Sequence, residues 1–278
     1  MNKLFSLSAL LFSALLLLPS VALSAKPVNG EAANTSTEQK GYDVSYPQCS
    51  KRLPTDHYFA IVGVNGGTAT TKNPCLAKQL AWAKTAKTGS NQPKIQLYVN
   101  TANPAQNSAY DWLSWPTSST PNNPYGECSG EKTNNLACSW QYGWNRSVET
   151  ANYFSAQAAL AGISPNASDY TWWLDVETMN SWQSGSNEAL ARNTAAIEGF
   201  GAYYQSIGLY STAVQWGQIT GNVISPTSNL NGLPNWRPSG SSLSNAKENC
   251  KVSPLTNGGF VSMTQYIVKN LDNNHSCI

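Results

Sequence analysis

The sequence predicts an α/β protein, a (β/α) TIM-like barrel that is either regular or irregular with fewer than eight helices, and that carries disulfide bonds. Short apolar runs alternate with segments of helical periodicity, which is typical of parallel strands joined by helices. About 250 residues follow the apolar N-terminal segment, a length that suits one barrel as well as two small domains. All six cysteines also follow that segment.

The N-terminal segment has the order of a secretory signal peptide. A basic residue, Lys3, precedes an apolar run over 5–18 and then small residues near Ala25. A membrane anchor needs about 20 apolar residues, and serine and proline interrupt this run. We therefore predict a signal peptide over 1–25, a flexible polar leader over 26–40, one barrel domain over 41–278 and an extracellular, secreted protein.

The elements follow in chain order. A first strand ends near Asp43. Apolar runs predict further strands, and capping residues with helical spacing predict helices between them. The predicted strands are Phe59–Val64, Ile95–Val99, Thr171–Glu177, Leu209–Ser211 and Phe260–Ile267; the predicted helices begin at Asn73-Pro74 and end at Gly89, span Val148–Ala161, and span Asn187–Gln205. Residues 101–144 lack periodicity and predict a long functional loop.

An even number of cysteines in an exported chain indicates a disulfide framework. Six thiols allow fifteen pairings. We favour pairing between sequence neighbours, because it would fix loops to adjacent elements: Cys49 with Cys75, Cys128 with Cys138, and Cys250 with Cys277. No C-x-x-C occurs and the two histidines lie far apart in sequence, so we expect no metal and no cofactor.

Charge and composition narrow the class of partner. The chain has 17 basic and 15 acidic side chains, and removal of Lys3 with the signal peptide leaves a net charge near +1. This balance gives no electrostatic footprint for nucleic acid or for a membrane surface. Charged residues are scarce at 12%, whereas Asn, Ser, Thr, Trp and Tyr are abundant. We expect a monomer whose partner is a neutral, hydroxyl-rich glycan.

The strongest chemical signal is the D-x-E sequence at the end of a predicted strand. Side chains alternate along a strand, so Trp173, Asp175 and Glu177 should share one face. Two carboxylates on one partly desolvated face repel each other, and this raises the pKa of one of them. One carboxyl group can then act as the acid and the other as the base, as glycoside hydrolysis requires. The alternative is a structural role, in which the acids cap a loop or pair with a base such as Arg192.

Three segments in order carry a resemblance. The opening G-x-D-V-S with Asp43, the D-x-E strand, and the closing Met263-Thr-Gln-Tyr266 followed by Asp272 together resemble the glycoside hydrolase family 25 lysozymes, and more closely the divergent family 25-like domains. The resemblance spans residues 41–277. It implies a muramidase that cleaves β-1,4 bonds of peptidoglycan.

The same resemblance implies the roles of the acids. Glu177 would be the general acid, and Asp175 would act on the 2-acetamido group that attacks the anomeric carbon. Asp43 and Asp272 would be the remaining acids. This chain departs from the family at the second and third strands, where it has Val64-Asn-Gly-Gly67 and Tyr98-Val-Asn100.

Aromatic and amide side chains are the candidates for substrate binding, because indole faces stack on sugars. The candidates at the predicted site are Trp182 (the preferred stacking residue), Trp173, Tyr98, Asn100, Tyr210, Trp236 and Gln265. A second aromatic group lies in the predicted loop and its exit: Trp112, Trp115, Trp140, Tyr142 and Trp144. A loop has little core to fill, so sugar contact is favoured for this second group.

Two other functions stay open from the sequence. One is a non-catalytic glycan-binding or wall-associated barrel, a former enzyme. The other is hydrolysis of a different N-acetylated polysaccharide. Serine hydrolase, P-loop and dinucleotide-binding motifs do not occur.

Overall fold

A computed structural model describes residues 39–104, 114–120, 122–131 and 133–278. The predicted signal peptide, nearly all of the predicted leader, and Trp112 lie outside the described residues. Eight strands form a closed barrel in the order of the sequence. The strands are β1 Gly41–Val44, β2 Phe59–Gly63, β3 Ile95–Asn100, β4 Thr171–Asp175, β5 Ile207–Tyr210, β6 Pro234–Pro238, β7 Phe260–Val268 and β8 Leu271–Ser276.

Five α-helices lie among the described residues: α1 Leu76–Ala83, α2 Leu136–Ala161, α3 Asn187–Tyr203, α4 Ala213–Thr220 and α5 Leu243–Asn249. The predicted class, an irregular TIM-like barrel with fewer than eight helices and with disulfides, is confirmed. No helix among the described residues has the length and apolar character needed to cross a membrane.

The sheet is not parallel throughout. Strands β1 to β7 pair in parallel, but β8 is antiparallel to both β7 and β1. The predicted parallel sheet with helical crossovers therefore holds for β1 to β7 and not for the closing strand β8. A tight turn with Lys269 and Asn270 at positive φ joins β7 to β8, so this connection needs no crossover helix.

The core has two parts, which strand alternation separates. Trp172, Leu174 and Val176 of the β4 segment belong to the larger cluster, which also contains residues of α1, α2 and α3. Trp173 belongs to the smaller cluster with side chains of β2, β5, β6 and β7. Alternate residues of β4 thus enter different clusters, as the pleat requires. Gly208 makes room in the smaller cluster, because a Cβ there would overlap the Trp173 ring.

Three disulfides join sequence neighbours: Cys49–Cys75, Cys128–Cys138 and Cys250–Cys277. This is the pairing that the sequence favoured. The first joins the end of the β1 segment to the start of α1, and the second joins the segment before α2 to the first turn of that helix. The third joins the end of α5 to the residue after β8.

Several predicted boundaries were wrong. Helix α1 begins at Leu76 and ends at Ala83, so it is shorter at both ends than predicted. The Asn73 side-chain oxygen accepts a hydrogen bond from the Cys75 nitrogen at 3.1 Å, while its side-chain nitrogen donates to Gly63 and Gln79. Strand β4 ends at Asp175, so Glu177 lies just beyond it. Strands β6 and β8 and helices α4 and α5 were not predicted.

The largest boundary error concerns the predicted loop 101–144, because α2 begins within it. The side chain of Asn135 accepts a hydrogen bond from the Cys138 nitrogen at 2.8 Å and caps the helix. The next turns are buried on all sides, over Ala137–Gly143. An all-round buried helix has no polar face, and its sequence therefore shows no amphipathic period.

Candidate active site

The four predicted acids occupy strand positions that bring them together. Asp43 is the third residue of β1 and Asp175 is the last residue of β4. Glu177 follows two residues later. Because β1 and β4 run parallel within one barrel, the ends of both strands lie at the same opening. Asp272 reaches this group from β8, and its charge acts on Asp43.

Asp175 and Glu177 form a carboxyl pair. Asp175 is buried and Glu177 is half-buried, and the two carboxyl groups act on each other's pKa. Oδ1 of Asp175 is buried without a hydrogen-bond partner among the described residues. Burial, the Glu177 charge and the Asp43 charge raise the pKa of Asp175 well above its ordinary value. Burial also raises the pKa of Glu177, against hydrogen bonds from Gln215 and Asp175. The pair therefore holds a proton to higher pH than an exposed carboxyl does.

Asp43 lies at the centre of a chain of hydrogen bonds. Its oxygens accept from Nε2 of Gln265 at 3.1 Å and from Nδ2 of Asn274 at 2.7 Å. The indole of Trp236 donates to the Asn274 oxygen at 2.8 Å, and the Tyr210 hydroxyl donates to Oε1 of Gln265 at 2.8 Å. Each amide is therefore fixed with its nitrogen toward the carboxylate.

The charge state of Asp43 reflects burial and crowding. Burial and the Asp272 charge raise the pKa of Asp43 to about 8, and the two amide donors oppose this rise. Burial raises the pKa of Asp272 as well, against the charge of Lys51. Like charges that influence one another in this way favour protonated forms at neutral pH.

None of the four acids belongs to an ion pair within the described residues, although the charge of Lys51 acts on Asp272. The ion pairs within the described residues are Lys40–Asp56, Arg146–Glu149 and Lys251–Glu248. The alternative of a pair with Arg192 is not supported, because its Nε donates to Gln183 at 2.7 Å. No cluster of three or more potential metal ligands occurs in the described part of the chain.

Two predicted stacking residues are buried inside the barrel. Trp173 donates to Oε1 of Gln96 at 2.8 Å and is 1% exposed, and Trp236 is 2% exposed. Neither has a free ring face for a sugar, so direct stacking was wrong for both. Trp236 instead orients Asn274, as described above.

The remaining predicted contacts lie nearer the opening. Tyr98 is partly buried, and burial raises its pKa despite a hydrogen bond with Ser45. Asn100 is adjacent to Asp175 in the β3–β4 register, and its backbone nitrogen donates to Asn65 at 2.8 Å. Trp182 is half-buried, and its indole nitrogen donates to the backbone carbonyl oxygen of Glu177 at 2.8 Å. This hydrogen bond helps to position Glu177.

The sequence interpretation missed Asn274 and Gln215. Asn274 precedes a histidine on a strand that was not predicted, so nothing marked it as internal. Gln215 is the third residue of α4, where it completes a capping box with Thr212 and also hydrogen-bonds Glu177. The T-x-x-Q sequence at 212–215 is a signal that could have located this helix start.

Comparison with known proteins gives little beyond this geometry. No family model and no curated protein matches the chain. Among solved structures, a family GH25 lysozyme from Aspergillus fumigatus is similar, with 14% sequence identity and a TM-score of 0.46. The match covers 86% of this chain and 94% of that chain. The class of the molecule therefore follows from its own topology and site: a closed, disulfide-bonded β/α barrel with an acidic centre at one opening.

Proposed function

We propose that this protein is a secreted glycoside hydrolase of N-acetylated glycans, and that its substrate is peptidoglycan, cleaved at β-1,4 bonds as by a muramidase. The observation that carries the proposal is the Asp175–Glu177 carboxyl pair. Burial raises the pKa of both carboxyls at the barrel opening, which favours retention of a proton there, and no base in the described residues forms an ion pair with them. A retained carboxyl proton is what a glycosidic leaving group requires.

The roles follow from exposure. Glu177 is the less buried member of the pair, so it is the one that meets the substrate and donates a proton to the glycosidic oxygen as the C–O bond breaks. The carbonyl oxygen of the 2-acetamido group then bonds to the anomeric carbon. Asp175, with Asp43 and Asp272, orients and charge-balances this group. Water finally attacks the same carbon, loses a proton to Glu177 and restores the acetamide.

The extracellular part of the proposal is supported by the disulfides. Three bonds join all six cysteines, and such bonds persist in oxidising compartments. The signal peptide predicted over 1–25 would provide the export route.

The test is the rate of new reducing ends from purified peptidoglycan. Glu177→Gln should lower this rate by about 10²-fold or more, because the amide cannot donate the required proton. Glu188→Gln is the matched control, since Glu188 lies exposed in the first turn of α3. A Glu177→Gln protein that cleaves at the wild-type rate would falsify the assignment.

Substrate choice separates the alternatives. Release of reducing ends from chitin but not from peptidoglycan would replace the muramidase assignment with hydrolysis of another N-acetylated polymer. Calorimetric binding of peptidoglycan fragments without any cleavage by the wild-type protein would overturn catalysis and favour a glycan-binding barrel.

A further inference from the structure

A second cleft lies away from the acidic opening, and we name it the lateral cleft. It has a volume of about 450 Å³ and lies between α2, α3 and two flanking loop segments. The residues that define it here are Tyr125, Trp140, Glu198, Thr227, Ser228 and Asn229. None of the four acids of the candidate active site lines it. Its volume lies within the range of small-molecule sites, which is about 300–1,000 Å³.

Glu198 gives the lateral cleft a fixed wall. The residue is 6% exposed, and its carboxylate accepts hydrogen bonds from the hydroxyls of Tyr125 and Ser228. Its backbone oxygen accepts from Nδ2 of Asn229 at 3.0 Å. One helix residue therefore joins both flanking segments. A wall that is already ordered costs little entropy when a ligand binds.

The chemistry of the lining selects the class of ligand. Both carboxylate oxygens of Glu198 already have hydroxyl donors, and an anionic ligand would be repelled by this charge. The other polar side chains in the lining are neutral amides and hydroxyls, among them Thr227 and Asn229. Tyr125, which is 37% exposed, adds aromatic surface to these polar groups, whereas the Trp140 ring is buried behind the wall. The lining therefore offers the combination that neutral sugars bind.

An aromatic row continues from the lateral cleft along the two helices. The ring of Trp140 stacks on that of Trp144 at a centroid distance of 5.4 Å with 17° between the planes. Trp144 then meets Tyr203 edge to face, also at 5.4 Å. Trp144 and Tyr203 are partly exposed, unlike Trp115 and Tyr142, which are buried and stack on each other. Beyond the cleft a linear polymer would meet the partly exposed rings of Trp144 and Tyr203, because Trp140 itself is buried.

We propose that the lateral cleft binds a neutral oligosaccharide segment and that it is a glycan-binding site separate from the barrel opening. It would keep the protein attached to a polymer independently of any cleavage. Among the described members of the aromatic group that the sequence predicted to contact sugar, Trp144 is partly exposed, whereas Trp115, Trp140 and Tyr142 are excluded from stacking on a sugar by burial. Tyr125, which was not in that group, provides the exposed ring of the lateral cleft.

The test uses triacetylchitotriose as the probe and the Trp140 indole N–H resonance as the readout. Glu177→Gln protein is used throughout, so that the sugar stays intact whether or not the protein is an enzyme. Thr227→Trp places a bulky side chain in the lateral cleft without removing a buried contact, because Thr227 is exposed. The matched control is Val223→Trp, which adds the same side chain at an exposed position outside the lining.

The trisaccharide should shift the Trp140 resonance in a saturable way. Thr227→Trp should weaken this binding by about tenfold or more, whereas Val223→Trp should leave it unchanged. A sulfated trisaccharide should bind more weakly than the neutral probe because of Glu198. The proposal is overturned if millimolar probe leaves the resonance unmoved, or if Thr227→Trp binds like the control. Neither result depends on hydrolysis, so the proposed function stands or falls separately.

Discussion

The buried carboxyl of Asp43 makes the stability of the barrel depend on pH, and Asp43→Asn should remove that dependence. The folded protein holds the Asp43 proton up to a pKa of about 8, whereas an unfolded chain releases it near the ordinary aspartate pKa of 3.8. The folded state therefore binds more protons between these values. Stability is fully present below the unfolded pKa and falls as pH rises toward the folded one.

The size of the effect follows from the width of the interval. Each pH unit within it costs about 1.4 kcal/mol, so raising the pH from 5 to 8 should lower the free energy of unfolding by about 4 kcal/mol through Asp43 alone. For a domain of this length that is about 10 °C in Tm. The asparagine variant should lose about 1 kcal/mol at every pH, because its amide nitrogen faces Nε2 of Gln265.

Urea unfolding of wild type and Asp43→Asn at pH 5 and at pH 8 measures both quantities. The wild type should lose more stability than the variant between the two pH values, and the variant should be the more stable protein at pH 8. Asp169→Asn, which removes an exposed carboxylate, should behave as the wild type does. Equal losses in wild type and Asp43→Asn would refute the reasoning.

Three further changes test other parts of the structure. Replacing Cys250 and Cys277 by alanine opens a loop of sequence separation 27 and should cost about 3–4 kcal/mol, measured as a lower Tm than that of the oxidised wild type; an unchanged Tm would contradict a stabilising role for this bond. Gly208→Ala should destabilise by about 1–3 kcal/mol or more in urea unfolding, because its Cβ overlaps the Trp173 ring; equal stability would contradict this close packing. Asn274→Leu should raise the pKa of Asp43 further, because it removes the hydrogen bond that lowers this pKa most. A ¹³C NMR titration of the Asp43 carboxyl measures the change.

The fold could be predicted where local periodicity reflects packing. Strand β4 alternates between two apolar clusters, and α3 begins at a serine that caps it, so both carry signals in their own residues. The start of α2 also has a capping residue, Asn135, but the helical turns that follow it are buried on all sides and show no amphipathic period. It packs against α3 so closely that side chains at Gly143 and Gly199 would overlap the neighbouring backbone. The two glycines are more than 50 residues apart in sequence, so the local periodicity of α2 contains no information about this contact.

The candidate site likewise contains residues that the sequence could identify and residues that it could not. Asp175 and Glu177 were recognisable because two acids on one strand face are unusual by themselves. Their partners are distant in sequence: the amide that contacts Asp43 at 2.7 Å comes from Asn274, 231 residues later. Trp236 was recognised as important but given the wrong role, because a sequence cannot tell an indole that stacks on sugar from one that orients a buried amide.

The antiparallel β8 explains how this site is held. A parallel closing strand would require a crossover connection, whereas the tight turn after β7 brings β8 directly between β7 and β1. In that place β8 provides both the amide of Asn274 and the charge of Asp272, which act on Asp43 in opposite directions. The amide lowers the pKa of Asp43 and the charge raises it. The Cys250–Cys277 bond anchors the end of β8 to α5, so the barrel closure and the electrostatics of the candidate active site depend on the same short strand.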